Sequence, residues 1–320
     1  MGAEPAADDL FRHEAAFYRD AAGYRSAVLP FVREGLDQAE SVLVAVPAPA
    51  AKLIREGLDG QRAAAHGVGY ADMTELGRNP GRVISAIWDF AGRYPGRPVR
   101  FVSELAWPGR SDAEIGEVAV HEAMLNLAFS AGPVRLLCPY DAGLLAPGVI
   151  ADAGLTHPFL RTASGVTASA KFGPAPAGPT LSLTLPPPPA GADRLTYTTD
   201  LRAVRSFVAV RAEQAGLSPD RTADLVLAVG EVAANTVRHA SARGTLLVWR
   251  TGTEIICQVS DLGQIRDPLV GRRRPPETGG LGLWVVHQVC DLVELRSGPG
   301  GTMVRMHMLL DGGPAMGGRP

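Results

Sequence analysis

The 320-residue sequence predicts an α/β protein of two domains in tandem, the first a parallel sheet with helices on both faces, the second an α/β sandwich. Three observations predict it. Apolar strand-like runs and helix-like stretches alternate through the first half, the pattern of βαβ units. Seven prolines then fall between Pro174 and Pro189. Beyond them one long amphipathic helix is followed by three glycine-punctuated segments. The boundaries expected are a first domain over 10–175, a proline-rich linker over 176–192 and a second domain over 193–310.

Along the chain, residues before Leu10 are small and polar and are expected to be disordered. The stretch His13–Glu40 is expected to be helical, anchored by Phe17, Tyr18, Val28, Phe31 and Leu36. Ser41–Val46 is a continuous apolar run, as buried parallel strands are. Helix Ala50–Leu58, strand Gly67–Met73, helix Gly81–Arg93, strand Val99–Leu105, helix Asp112–Ser130 and strand Val134–Pro139 follow. Ligands of such sheets sit beyond the carboxyl ends of the strands, where Glu104, Trp107, Cys138, Tyr140 and Asp141 fall. Thr180–Leu185 alternates polar and apolar, as an edge strand of the first domain does, and Pro186–Pro189 favours a stiff extended spacer. The second half opens with strand Arg194–Thr198. Asp200 caps helix Leu201–Ala215, and Gly216 breaks it. Gly244–Arg250 and Glu254–Ser260 form a hairpin about Thr251–Thr253. Helix Leu281–Cys290, strand Leu292–Arg296 and strand Thr302–Leu309 complete the sandwich, with a loose tail after Asp311.

Composition limits the function. With 46% hydrophobic and 20% charged residues and a net charge of −2, the chain lacks the basic surface of a protein that coats nucleic acid, so no direct nucleic-acid partner is expected. Val42–Val46 ends at Pro47, far short of the ~20 residues of a membrane span, and Met1–Asp9 lacks a signal pattern. Cys138, Cys257 and Cys290 show neither paired spacing nor a neighbouring histidine pattern, which suits reduced thiols rather than disulfides or zinc. A cytoplasmic protein without membrane contact is expected. Cys138 also reads as a small core hydrophobe, and His157 before Pro158 as a helix end. His121-Glu122 fails the metalloprotease pattern because position 125 is Leu.

The helix around which the second half is organised is Leu225–Ala240. Leu225, Val226, Val229, Val232, Ala233 and Val237 fall on one side of a 3.6-residue period. Glu231 and Asn235, four residues apart, sit together at the edge of that face, with His239 a further turn along. Ser218 and Pro219 supply the start signal. Alone, a Glu/Asn pair at this spacing is more often a solvated helix face. Here Asp261-Leu-Gly263 follows at a strand end, then Gly279-Gly-Leu-Gly-Leu-Trp-Val-Val286, then Gly300-Gly-Thr302.

This order, Glu-x-x-x-Asn, Asp-x-Gly, Gly-x-Gly and Gly-Gly-Thr, resembles the N, G1, G2 and G3 boxes of the GHKL (Bergerat-fold) ATPases, and more narrowly the anti-sigma-factor serine kinases. The resemblance covers roughly Arg194–Leu310. It implies ATP and Mg²⁺ as cofactors. Asp261 would accept from the adenine amino group, with Gly263 allowing close approach of the base and Thr302 reaching the ring through water. Gly280, Leu281, Gly282 and Leu283 would present a helix start to the phosphates, and Asn235 would ligate Mg²⁺. Glu231 would be the general base toward a serine hydroxyl. Gln264–Thr278 would be the ATP lid, with Arg266, Arg272, Arg273 and Arg274 as phosphate or partner contacts; a solvated loop carries such a charge run equally well. His239 suits a packing or capping role as well as the pocket.

The first half resembles the MEDS sensory domain of methanogen, methylotroph and dichloromethane-regulator proteins. The matching stretches are His13 with Phe17-Tyr18, Pro30-Phe31 with Gly35-Leu36, Gly81-Arg82 before Trp88, Arg100–Glu104, Glu122 with Asn126, Cys138–Asp141 and His157-Pro158. That resemblance implies a sensor of a small apolar ligand. Together the two imply a sensor-coupled anti-sigma regulatory factor that phosphorylates a serine on an anti-sigma-factor antagonist, with a sigma factor as a further partner and homodimers common in the resembled kinases. The alternative is a non-catalytic, ATP-gated module that sequesters a sigma factor or another regulator.

Overall fold

The computed structural model describes residues 11–58, 67–173, 184–239, 243–275 and 280–310. They fall into two compact units that divide between Ala175 and Pro176. The expected disordered N-terminus, the tail after Asp311 and part of the segment Thr180–Leu185 lie outside the described residues, and residues 184–189 carry no helix or strand.

In the first unit the strands are β1 (Arg12–Tyr18), β2 (Ser41–Val46), β3 (Val68–Asp72), β4 (Val99–Ser103), β5 (Val134–Asp141), β6 (Phe159–Thr162) and β7 (Gly165–Ala168). The helices are α1 (Ala21–Asp37), α2 (Ala48–Gly57), α3 (Met73–Leu76), α4 (Val83–Gly92), α5 (Asp112–Ala128) and α6 (Pro147–Thr156). One seven-stranded sheet runs in the order β3-β2-β4-β5-β1-β6-β7, parallel except for the last pair. The expectation of a helix over His13–Glu40 is corrected at its start: residues 12–18 are a strand between β5 and β6. Asp20 then caps α1 by accepting from the Gly23 N–H at 2.7 Å. A segment paired on both sides satisfies its backbone in the sheet, which outweighs any local helical preference. Helix α6 ends at the His157 cap, as the His157-Pro158 pair suggests, while strands β6 and β7 extend the sheet beyond the expected elements.

Alternation along β1 and β5 separates two environments. Ala16 and Leu137 face the apolar cluster built with α1, α2 and β2, including Tyr24, Val28, Phe31, Val44 and Ile54. His13, Ala15, Leu136 and Cys138 are in register on the opposite face, toward α5 and α6. At the edge of the apolar cluster Arg100 is buried on β4. It donates to the Phe31 carbonyl and to Glu34, both at 2.9 Å, to Gln38, and closely to Glu40. Arg161 of β6 adds Glu14 at 2.6 Å and shares Glu34. Every charge in this network faces an opposite one.

The second unit contains β8 (Asp193–Tyr197), α7 (Leu201–Ala215), α8 (Pro219–His239), β9 (Gly244–Arg250), β10 (Glu254–Asp261), α9 (Leu281–Val289), β11 (Leu292–Gly298) and β12 (Gly301–Leu309). Its five-stranded antiparallel sheet runs β11-β12-β10-β9-β8. Asp200 caps α7 through the N–H groups of Arg202 and Ala203, and Gly216, left-handed at φ 93°, ends it. Leu225, Ala228, Val229, Val232 and Ala233 of α8 are buried. A fully buried Leu or Val of this kind contributes about 1.5–3 kcal/mol. On the same sheet face lie Leu246, Val259 and Val304, and at its end Asp261 opposite Thr302. No helix of the described residues is long and apolar enough to cross a membrane.

The other face of this sheet is polar yet buried. Arg305 donates to Gln258 at 2.8 Å and to the Pro186 carbonyl at 2.7 Å, so the start of the segment before β8 is held against β12. His307 lies between two carboxylates, Nδ1 at 3.0 Å from Glu254 and Nε2 at 3.0 Å from Glu294. Burial works against charge on the ring, but the hydrogen bonds to Glu254 and Glu294 outweigh it and hold the pKa up at about 9. A pKa above the unfolded value of about 6.5 means that this stabilisation is full below pH ~6.5 and is lost as pH rises through ~9. The expected outcome for His307→Gln is a loss of up to about 3 kcal/mol at pH 6 that closes toward pH 10. Denaturant unfolding of both chains across that range measures it, and a gap independent of pH contradicts the assignment.

Candidate functional site

Helix α8 fixes the position of the Glu231/Asn235 pair because its apolar face is sunk against the sheet, which leaves both side chains half-buried at the rim. Strand β10 ends beside them at Asp261. The carboxylate of Asp261 accepts from the Thr236 hydroxyl at 2.7 Å and from the Gly263 N–H at 2.8 Å. These bonds lock its orientation and leave it further lone pairs, since an ionised carboxylate offers about four acceptor sites. Thr302, paired with Asp261 across the sheet, donates to the Gly263 carbonyl at 2.8 Å and touches the Ser297 hydroxyl at 2.9 Å. Ser297 in turn accepts from the Ile265 N–H at 2.8 Å. The turn Asp261–Ile265 is therefore pinned from both ends.

Two glycines make the geometry possible. Gly301 has φ 116°, and a Cβ there would lie 2.1 Å from the Asp261 carbonyl oxygen. Gly282, at the start of α9, lies so close to α8 that a Cβ would sit 2.8 Å from Glu231 Oε2 and 3.5 Å from Asn235 Nδ2. The start of α9, where backbone N–H groups lack intrahelical partners, is thus packed against the carboxylate and carboxamide of α8.

Between these parts lies a cavity of about 860 Å³. Its lining includes Glu231, Asn235, Asp261, Gly263, Gly280, Leu281, Gly282, Leu283 and Thr302, the nine residues to which the resemblance gives a base, metal or nucleotide role. His239 and Arg266 also line it. Arg272, Arg273 and Arg274 are not among the lining residues: Arg272 is buried, Arg273 is exposed, and the Arg274 guanidinium lies 5.5 Å from the Trp284 ring. Residues 276–279, the end of the expected lid, lie outside the described residues. Three features escaped the sequence reading. Arg238 lines the cavity and donates to Asn235 Oδ1 at 3.2 Å, a pairing that its i+3 spacing from Asn235 signals. Val259, Ile265, Val270 and Val304 supply apolar walls, two of them from the segment that lacked apolar periodicity. Ser297, at the end of β11, holds the turn. One end of the cavity is thus apolar, with a fixed carboxylate and a close-approach turn, as a flat heteroaromatic ring requires. The other offers a carboxamide, a carboxylate, the Arg238 guanidinium and a helix start, as a metal-bound polyanion requires.

In the first unit the strand-end candidates do not form one group. Glu104, just past β4, is buried and accepts from the Tyr18 hydroxyl at 2.7 Å. Burial raises its pKa to about 7 despite that bond. Asp141 closes β5 by accepting from the N–H groups of Gly143 and Leu144. Trp107 stacks under the Arg110 guanidinium at 3.5 Å. Cys138 and Tyr140 point elsewhere, toward His157 and Glu122. The absence of a histidine pattern around the cysteines in the sequence does not carry into space for Cys138. Its Sγ lies 3.4 Å from His13 Nε2 and 3.5 Å from Glu122 Oε2. Burial lowers the His13 pKa to about 4 and, with His13 beside it, that of His157 to about 3. Burial also raises Glu122.

Residues 12–158 match the family model of the MEDS domain (MEthanogen/methylotroph, DcmR Sensory domain), and residues 196–308 match that of the histidine kinase-like ATPase domain. No curated protein matches the chain. Among solved structures, a match is found to the crystal structure of the RsbU and RsbW domains of Rv1364c from Mycobacterium tuberculosis. It has 21% identity and a TM-score of 0.30, covering 38% of this chain and 33% of that one.

The two close glycines respond differently to a methyl group. Gly301→Ala meets a backbone carbonyl at an unfavourable φ and is expected to lose about 2–4 kcal/mol of stability. Gly282→Ala meets only the tip of the Glu231 side chain and is expected to lose less than about 1 kcal/mol. Thermal unfolding of the two variants measures the difference, and equal losses contradict the geometry.

Proposed function

We propose that this chain, a MEDS domain followed by a histidine kinase-like ATPase domain, is a sensor-coupled regulator that binds Mg·ATP and transfers its γ-phosphoryl group to a serine of a protein antagonist, in an anti-sigma control circuit. The observation that carries this reading is the junction of Glu231, Asn235 and Gly282 at the polar end of the 860 Å³ cavity, where a helix start meets a carboxylate with no side chain between them. The residues fit the nucleotide. Asp261, oriented by Thr236 and Gly263, offers an acceptor to an exocyclic amino group, and Val259, Ile265 and Val304 offer apolar surface to the base. Arg238, bonded to Asn235, supplies positive charge near the phosphate end, and Arg266 lines the cavity.

A helix terminus contributes only about 0.3–1 kcal/mol per charge at an exposed site, so it does not hold a triphosphate alone. Mg²⁺, with Asn235 as its protein ligand, would neutralise charge on the phosphate oxygens. Glu231 has a different task. A second carboxylate beside a polyanion weakens binding unless it is used, and its use here is to accept the proton of the attacking serine hydroxyl as the new O–P bond forms and ADP leaves. The first unit then acts as the sensor of a small apolar ligand. That coupling requires the ligand to favour one of two states of the chain.

Three variants separate these roles. Glu231→Gln keeps the shape and removes the basic oxygen; ATP affinity is expected to stay within a few-fold while phosphoryl transfer falls by roughly 10²–10⁴. Asn235→Ala is expected to weaken both. Asp261→Ala is expected to remove most of the roughly 2.7 kcal/mol that nucleotide at 100 times its dissociation constant adds to the native state. ATP titration and radiolabelled transfer to candidate antagonists, run in parallel, measure all three. Full transfer by Glu231→Gln excludes the general base and leaves an ATP-gated binder that sequesters its partner.

A further inference from the structure

Four side chains from four elements of the first unit converge on one buried point: His13 of β1, Glu122 of α5, Cys138 of β5 and His157 at the end of α6. All four are buried, and one ligand-type atom from each lies within 4.8 Å of the others. Glu122 Oε2 is 3.0 Å from His13 Nε2 and 3.5 Å from His157 Nε2 and from Cys138 Sγ, and Sγ is 3.4 Å from His13 Nε2. Bonds of about 2.0–2.3 Å to a tetrahedral zinc ion set ligand-to-ligand edges of about 3.3–3.6 Å for this donor set. Three of these four edges fall in that range, and the two from His157 Nε2 to His13 Nε2 and to Cys138 Sγ are within 4.8 Å.

The surroundings fix which nitrogen of each ring faces the cluster. Asn126 Nδ2 donates to two backbone carbonyls, of Glu122 at 3.2 Å and Thr156 at 2.7 Å, so its Oδ1 is the atom that meets His13 Nδ1 at 3.1 Å. His13 therefore carries its proton on Nδ1 and turns a lone pair inward at Nε2. His157 Nδ1 donates to the Ala153 carbonyl at 2.8 Å, so its Nε2 is also a lone pair, and that buried atom has no hydrogen-bond partner. Two imidazole lone pairs and a carboxylate oxygen thus face one another in a buried group, with the Cys138 thiol donating to Glu122 Oε2 at 3.5 Å. Acceptors facing acceptors at such distances call for a cation among them.

We propose that His13 Nε2, His157 Nε2, Glu122 Oε2 and Cys138 Sγ bind a divalent transition-metal ion of the zinc class. Two imidazoles and a thiolate favour zinc over magnesium or calcium, which take oxygen donors. Binding releases the Cys138 thiol proton to solvent, since the thiolate is the ligand form. Asn126 and the Ala153 carbonyl are positioning partners that hold the rings by their outer nitrogens. The ion would tie β1 and β5 to α5 and α6, and so give the sensory unit a metal centre on the sheet face opposite its apolar core.

The test uses the full chain without nucleotide. Loading with Zn²⁺ and desalting is expected to leave one ion per chain by elemental assay, and the Co²⁺ form is expected to show tetrahedral d–d bands with a thiolate-to-cobalt charge-transfer band. Cys138→Ser is expected to lose the charge-transfer band. Asn126→Ala is expected to keep it but to weaken Zn²⁺ affinity by about 10–100-fold. If the Cys138 variant fails to fold, the wild-type cobalt spectrum alone decides. A folded wild-type chain that takes up no stoichiometric Zn²⁺ or Co²⁺ overturns the proposal, as does a charge-transfer band undiminished in folded Cys138→Ser.

Discussion

The geometry of the second unit turns on a missing side chain. Where α9 begins, Gly282 lets two helices meet so closely that the Glu231 carboxylate occupies the space a Cβ would take. Everything at the polar end of the cavity follows from that contact. It brings the free N–H groups at the start of α9 to the face of α8 that bears Glu231 and Asn235, and it leaves a half-buried carboxylate where a polyanion would lie. The helix start alone is too weak an anion site, so Asn235 and Arg238 must share the work. At the other end a second glycine, Gly301, plays the matching part by admitting the Asp261 backbone.

Both units use the two faces of a sheet for different chemistry. In the second, alternate residues of β10 and β12 face the helices and form the cavity wall, while Gln258, Arg305 and His307 form a paired polar layer on the reverse. In the first, β1 and β5 send Ala16 and Leu137 into the apolar core and His13 and Cys138 to the other side. Because the period of a strand is two, a one-residue slip of β1 would exchange these sets and bury His13 against Phe31 and Val44. The register that builds the core is also the register that assembles the cluster.

This explains what was legible in the sequence. Helix α8, the Asp261 turn and the glycines at 280, 282 and 301 were legible because each is a local signal with a fixed offset, and the fold only had to bring four such signals together. Arg238 was legible in principle from its i+3 spacing, while Ser297 and the apolar lid residues Ile265 and Val270 were not, because their roles arise only when the lid folds back on the sheet. Strand β1 was misread as helix because its pairing partners lie more than a hundred residues away at β5 and β6. The cluster in the first unit was illegible for the same reason. Its members stand at positions 13, 122, 138 and 157, with no short-range spacing that a metal-site pattern would show.

Buried polar groups in the first unit fall into two kinds, and the difference bears on what the cluster is for. The Arg100 network balances its charges: its guanidinium meets two carboxylates, an amide and a backbone carbonyl, Arg161 completes Glu34 and Glu14, and Arg135 stands 3.9 Å from Glu40, three guanidiniums for three carboxylates. It needs nothing from outside, and its removal in part would strand a charge. The His13–Glu122–Cys138–His157 group is arranged the opposite way. The imidazole N–H groups are spent outward, on Asn126 and the Ala153 carbonyl, and their lone pairs are turned inward on the carboxylate, where the Cys138 thiol also donates. A core that hydrogen-bonds its imidazoles so carefully on the outer side gains nothing from leaving their inner lone pairs opposed, unless the inner side receives a cation. The contrast within one sheet distinguishes polar groups that complete the fold from polar groups that wait for a ligand.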